Sequence, residues 1–189
     1  EPLFKGQKKQ AFDFYSFHFF VRNMGIVKHL ALGDFTVNMG QGLISWQSLA
    51  FRKNVDVINI KRQADILRPY SAASEFNFHR GAGITIGKNR WEGTLFVSYK
   101  KLSANVLADS LNEEDYISSI QRTGYHRTQA EIENKNNMTQ FAAGCNFSYE
   151  KNKLHVGLNA VHYKFSKPLQ QSSAPYNTYM INGNNMTNI

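Results

Sequence analysis

Apolar and polar residues alternate along six stretches of the chain, and this period of two predicts β-strands. The predicted strands cover residues 15–22, 34–39, 75–87, 93–107, 139–149 and 154–166. The alternation is cleanest in the fifth stretch, where one face carries Phe141, Ala143, Cys145, Phe147 and Tyr149. We therefore expect an all-β fold.

Short turns join these strands in pairs. The turns lie at residues 23–26, 88–91 and 150–153, and connections of about thirty residues separate the three hairpins. Tight turns at one end and long loops at the other are typical of outer-membrane β-barrels. This alternation of short turns and long connections predicts an antiparallel transmembrane β-barrel with short periplasmic turns and long outer loops.

The second face of most predicted strands is small and polar, carrying Gly, Asn, Ser, Thr and His. Such residues do not form a dry core between two packed sheets, but they line a water-filled lumen. We therefore expect Val37, Phe141, Phe147 and Val156 to contact lipid. Lys100 and Lys101 are adjacent, so they point to opposite faces and belong near a membrane interface.

Two features depart from regular alternation. Near the end of the sixth strand the apolar phase shifts to Val161, Tyr163 and Phe165, which indicates a bulge or emergence from the membrane. The connection at residues 108–138 carries two capping boxes, at 110–113 and 128–131, with Gly124 as a stop for the first helix. A helical loop insertion is predicted there.

Six strands are fewer than the eight of the smallest common barrels. With short turns in the periplasm, the first residue would lie on the outer side, whereas complete bacterial barrels usually begin in the periplasm. We expect residues 1–189 to be part of one outer-membrane β-barrel domain, a segment of a larger barrel.

Composition narrows the partners. The net charge is +8, with 19% charged and 42% apolar residues, and no long Lys/Arg block occurs. Positive charge is compatible with nucleic acid, anionic lipid or lipopolysaccharide phosphates, and an unevenly charged solvated surface is the simplest interpretation. We expect outer-membrane lipid and lipopolysaccharide as partners, with other envelope proteins, and no nucleic acid. The single cysteine excludes an internal disulfide.

Several segments resemble a family of Bacteroidota outer-membrane barrel proteins whose members often carry an N-terminal helix-hairpin-helix region. The similar segments are Leu32-Gly33-Asp34-Phe35, Gly40-Gln41-Gly42-Leu43, Leu67-Arg68-Pro69-Tyr70, Glu75 with Phe78-His79-Arg80-Gly81, Gly124-Tyr125-His126-Arg127-Thr128 with Glu131, and Tyr176-Asn177. The resemblance implies the outer membrane of a Gram-negative bacterium and a place in a larger envelope complex. It implies no reaction.

Candidate site residues are polar and cluster in the predicted outer loops. They are Glu75, Arg80, Arg122, Tyr125, His126, Arg127 and Glu131. The favoured interpretation is a structural clasp, in which Arg122, His126 and Arg127 pair with Asp115, Glu131 or Glu75. The alternative is an anionic-ligand or lipopolysaccharide site, since arginine binds phosphate at two points.

Reaction chemistry has little support in the sequence. The six histidines lack metal-ligand spacing, and no Gly-X-Ser-X-Gly elbow occurs. We expect no cofactor, no metal and no catalytic residue. The leading function is a porin-like channel or transport component, or a subunit of an envelope secretion or assembly complex. A soluble β-rich module binding carbohydrate or nucleic acid and an outer-membrane lipid hydrolase remain alternatives.

Overall fold

The computed structural model describes residues 14–47, 62, 64–72, 74–108, 115–124, 128–170, 175–177 and 180–189. The protein is all-β, with 64% strand and one short helix, and its sheet curls into a half-barrel. The elements are β1 (His18–Met24), β2 (Val27–Val37), β3 (Leu67–Pro69), β4 (His79–Lys88), β5 (Trp91–Leu102), β6 (Ala104–Ala108), β7 (Asp115–Ile120), α1 (Gln129–Glu133), β8 (Met138–Lys151), β9 (Leu154–Leu169) and β10 (Gly183–Asn188).

Six strands form an antiparallel meander in the order β1-β2-β4-β5-β8-β9. Its three turns are those that the sequence predicts, and all three lie at the same end of the sheet. The predicted bounds of the second strand, 34–39, are wrong, because β2 begins at Val27, directly after the first turn. The first turn residues are Gly25, Asn89 and Asn152, with φ of 62°, 57° and 54°. Glycine and asparagine adopt this left-handed conformation at little cost, so the turn positions follow from local sequence.

Short strands extend this meander at both sides. β10 and β7 both pair with β9, β6 pairs with β7, and β3 pairs with the end of β2. Within the described ranges β1 and β9 are not paired with each other, so these six strands form an open half-barrel.

The connection between β5 and β8 is only partly helical. A β-hairpin of β6 and β7 occupies residues where the sequence predicts a fourth strand running to 107 and then a helix. Ile117 is buried in this hairpin, and its packing against neighbouring strands overrides the helix signal. The first capping box, at 110–113, lies outside the described residues.

The second capping box is confirmed. The Thr128 hydroxyl accepts a hydrogen bond from the Glu131 amide at 3.3 Å, and the Glu131 carboxylate accepts one from the Thr128 amide at 3.0 Å. These two bonds satisfy amides that the first turn of α1 leaves without partners.

Large apolar residues cover the convex face of the sheet, and small or polar residues lie on the concave face. In β5, Leu95 is 62% exposed, whereas Thr94 and Ser98 on the other face are each 1% exposed. Phe141 and Phe147 of β8 are likewise exposed, whereas Asn146 is buried. The predicted alternation is confirmed, and the sheet has most of its apolar side chains on the outside.

The end of β2 differs from this pattern, because it is buried on both faces. Val37 is fully buried, so the prediction that it contacts lipid is wrong. Leu67 of β3 packs beside Val37 in the concave side of the sheet, together with Phe35, Phe96 and Val161. An inner apolar cluster fills part of the space that the sequence assigns to water.

Small residues on the concave face make room for this cluster. A Cβ at Gly83 would lie 3.0 Å from Leu67 Cδ1, and one at Gly144 would lie 2.5 Å from Phe96 Cε1. Glycine at these positions therefore accommodates apolar side chains, and its small size did not by itself indicate a wet lumen.

The phase shift in β9 has the same origin. The pairing of β8 with β9 runs without interruption from Gln140–Phe165 to Lys151–Leu154, so no bulge lies in this ladder. Val161 and Phe165 are buried on the concave face, where they join the apolar interior. An irregularity occurs only in the pairing of β9 with β10, between Lys164 and Leu169.

Candidate functional site

The predicted site residues that the structure describes lie at the connection end of the half-barrel, opposite the hairpin turns. Arg80 belongs to β4, Glu75 to the segment before it, Arg122 to the segment after β7, and Glu131 to α1. Tyr125, His126 and Arg127 lie outside the described residues.

Arg80 forms a two-point ion pair with Asp34, its cross-strand neighbour in β2. Arg80 Nε lies 2.7 Å from Asp34 Oδ1, and Nη2 lies 2.9 Å from Oδ2. Asp34 is fully buried, whereas the Arg80 side chain is 40% exposed. A parallel fork of two charge-assisted hydrogen bonds fixes both side chains.

Asp34 also links three segments through its backbone. Its amide donates to the Phe17 carbonyl at 2.8 Å, and its carbonyl accepts from the Tyr70 amide at 3.1 Å. Sequence reasoning missed Asp34 as a partner of Arg80. The available signal was a carboxylate inside an apolar strand, which needs a cation to be buried.

Lys100 is a buried cation in β5, the strand next to that of Arg80. Its ammonium donates to the carbonyls of Phe76 and Phe78 at 2.6 and 2.7 Å, and lies 4.7 Å from the Phe78 ring centroid. Lys101 points to the exposed face, so the predicted opposition of these two lysines is confirmed. Lys100 therefore holds the segment before β4 against β5.

Tyr70 anchors the start of that segment. Its hydroxyl donates to the Ser74 carbonyl, and its ring lies 5.0 Å from the Phe78 ring. Burial raises the pKa of the Tyr70 hydroxyl above its ordinary value of 10.0. The hydroxyl therefore stays a hydrogen-bond donor throughout the neutral range.

His79 is buried among aromatic rings. Its ring stacks with Phe35 at 5.9 Å and Tyr163 at 6.3 Å, and tilts against Phe96 at 5.3 Å. Its Nδ1 atom has no hydrogen-bond partner among the described residues. Packing, and not hydrogen bonding, holds the imidazole in place.

A cavity of about 360 Å³ opens at the connection end, and we call it the rim cavity. Three predicted site residues, Glu75, Arg80 and Arg122, line it. The other lining residues are Phe14, Tyr15, Phe76, Phe78, Tyr99, Lys100, Lys101, Leu102, Ser103, Gln121, Gly124, Lys135 and Asn136.

The predicted pairing of His126 and Arg127 stays a prediction, because both residues lie outside the described part of the chain. Arg122 places its guanidinium 5.3 Å from the Phe76 ring centroid, and Asp115 pairs with Lys167 at 2.7 Å. Glu131 caps α1 and does not line the rim cavity. Among the described candidate residues, the ion pair that the structure shows is Asp34 with Arg80.

A larger cavity of about 1450 Å³ lies on the concave side toward the turns. Polar and charged residues such as Arg22, Glu92, Asn146 and His155 line it. The concave side is therefore polar near the turns.

The described part of the chain contains neither a metal site nor a membrane-spanning helix. It contains no group of three His, Cys, Asp or Glu residues placed to bind a metal. Among the same residues, no helix is both long and apolar enough to cross a membrane.

Comparison of the sequence with known protein families, with curated proteins and with solved structures gives no match. The chemistry of the two faces of the sheet and of the rim cavity is therefore the basis for a function.

Proposed function

We propose that this chain is part of an outer-membrane β-barrel of a Gram-negative bacterium of the Bacteroidota type. Its role would be non-catalytic, as a channel or transport component or as a subunit of a larger envelope complex. The observation that carries the proposal is the apolar convex face of the sheet, opposite a concave face with buried charges.

The convex face presents a continuous apolar row across all six meander strands. Pairing aligns Val21, Leu30, Ile84, Leu95, Cys145 and Ala160 side by side. Exposed apolar patches of this extent are rare on soluble monomers and mark contact with lipid or another protein. A bilayer would remove this face from water without a second protein layer.

Aromatic residues flank this apolar band along β5. Trp91 lies at the turn end, with its ring 4.3 Å from the Tyr149 ring, and Tyr99 lies near the connection end. Eight residues at 3.3–3.4 Å each span about 27 Å along the strand. Barrel strands tilt by about 35–45°, so this length corresponds to about 19–22 Å across the membrane, close to the apolar band of about 25 Å between the aromatic girdles of barrels.

The filled concave face favours a structural subunit over a wide pore. Phe35, Leu67, Phe96 and Val161 pack together where an open channel would hold water. We expect the protein reconstituted in planar bilayers to show no stable, large conductance steps. Steps of uniform size that survive high salt would favour the channel role.

Cys145 provides a direct test of the membrane location. It is the only cysteine of the chain, and it is exposed in the middle of the apolar row. We expect a bimane fluorophore on Cys145, in protein reconstituted in lipid vesicles, to be quenched by brominated acyl chains and protected from aqueous iodide.

The matched control moves the thiol to the other face, in the C145S/N146C variant. Asn146 lies on the concave side and lines the larger cavity, so its label should lose most lipid quenching. Free access of iodide to bimane on Cys145 would contradict the membrane location and favour a soluble binding module.

A further inference from the structure

We propose that the rim cavity binds the phosphate group of a membrane lipid. This inference rests on the proposed membrane location, because the lipid is taken to lie along the convex face. The shared chemistry is a phosphoryl anion, and a lipid headgroup and a free phosphate are its two sources.

Positive charge in the rim cavity exceeds negative charge. Its cationic lining residues are Arg80, Lys100, Lys101, Arg122 and Lys135, and Glu75 is the one lining carboxylate among the described residues. Asp34 neutralises only Arg80. Lys100, Lys101 and Arg122 share a partly enclosed space, where their attraction for an anion is stronger than in bulk water.

Two of these cations have donors available for a ligand. Lys101 and Arg122 form no ion pair within the part of the chain that the structure describes. Arg122 Cζ lies 5.3 Å from the Phe76 ring centroid, and the guanidinium of an arginine can donate two parallel hydrogen bonds to a phosphate.

Lys100 contributes a fixed charge. Two backbone carbonyls at 2.6 and 2.7 Å hold its ammonium, so its position does not have to be ordered when a ligand binds. Preorganised charge lowers the entropic cost of binding.

The apolar part of the rim cavity favours a lipid over a free phosphate. Phe14, Phe76, Phe78 and Tyr99 supply aromatic wall next to the cations. Tyr99 and Lys101 point outward from β5, whereas Lys100 points inward, so the cavity extends across the rim of the sheet. At this edge of the apolar band a lipid headgroup would meet the cations while its acyl chains follow the convex face.

Calorimetric titration in dodecylmaltoside micelles tests the proposal. The probes are dihexanoyl phosphatidate, inorganic phosphate and the uncharged dihexanoylglycerol. We expect phosphatidate to bind about tenfold or more tightly than inorganic phosphate, and dihexanoylglycerol not to bind, because affinity needs both the charge and the chain.

Paired variants locate the site. The K101Q/R122Q protein should bind phosphatidate about tenfold more weakly. The matched R90Q/K153Q protein, which loses two exposed cations at the hairpin turns, should stay within about twofold of wild type. Glu75→Gln removes the lining carboxylate and should tighten binding about threefold, an independent readout should K101Q/R122Q fail to fold.

Three results would overturn the proposal. They are no phosphatidate binding by the wild type, equal affinity in K101Q/R122Q, or inorganic phosphate binding as tightly as phosphatidate. Quenching of bimane on Cys145 separates this failure from failure of the proposed function. Lipid quenching without phosphatidate binding rejects the rim site alone, and free iodide access rejects the membrane location.

Discussion

Replacing Arg80 with glutamine is expected to lower the free energy of unfolding by about 3 kcal/mol. The change leaves the fully buried Asp34 carboxylate without its cation. Breaking a buried pair costs about 3–5 kcal/mol, and the partial exposure of Arg80 places this case at the lower end. Urea unfolding of protein refolded in micelles measures the loss.

Two companion variants test the cause. Lys28→Gln breaks the more exposed pair with Glu92 and should cost less than about 1 kcal/mol. The D34N/R80Q double variant should be more stable than R80Q alone, since it removes the unpaired charge. Equal stability of R80Q and K28Q would show that the buried ion pair does not stabilise the sheet.

Phe35→Ala is expected to destabilise the protein by about 3–5 kcal/mol. Phe35 is fully buried, where it packs with Phe96 and His79 at the centre of the concave cluster. Truncation leaves a cavity that the rigid strands around it fill only in part. Urea midpoints of the refolded protein, compared at constant slope, report the change.

Phe147→Ala is the matched control, because it removes the same atoms from a side chain that is 52% exposed on the convex face. Its cost should stay below about 1 kcal/mol, since lipid or detergent fills the space. A larger loss for Phe147 than for Phe35 would place the core on the convex side and reject the arrangement of faces described above.

Local sequence was sufficient for the hairpins and for the short helix. The turns need left-handed residues at defined positions, and Gly25, Asn89 and Asn152 supply them. The Thr128 capping box forms from residues three apart, so it too is predictable from a short segment. The alternation of apolar and polar residues likewise predicted the two faces of β5 and β8, because a period of two is a local signal.

The candidate site was only half predictable. Glu75, Arg80 and Arg122 do line one cavity, but the partner of Arg80 is Asp34, forty-six positions away along the chain. The sequence places Lys100 near a membrane interface. Its hydrogen bonds to the carbonyls of Phe76 and Phe78 depend on how the segment before β4 folds back onto β5. Pairing between distant segments has no local signature.

Sequence alone determined the hairpin turns of the meander, the position of most of its strands and which side of most strands is apolar, because these depend on a period of two and on turn chemistry. Tertiary structure decided which atoms fill the concave side of the sheet. Residues 35–39 and 66–67 pack onto glycines and alanines of the concave face, so Val37 and Val161 become core residues. The physical reason is that a small side chain leaves free volume beside its strand. Whether water or apolar side chains fill this volume depends on how distant segments of the chain pack.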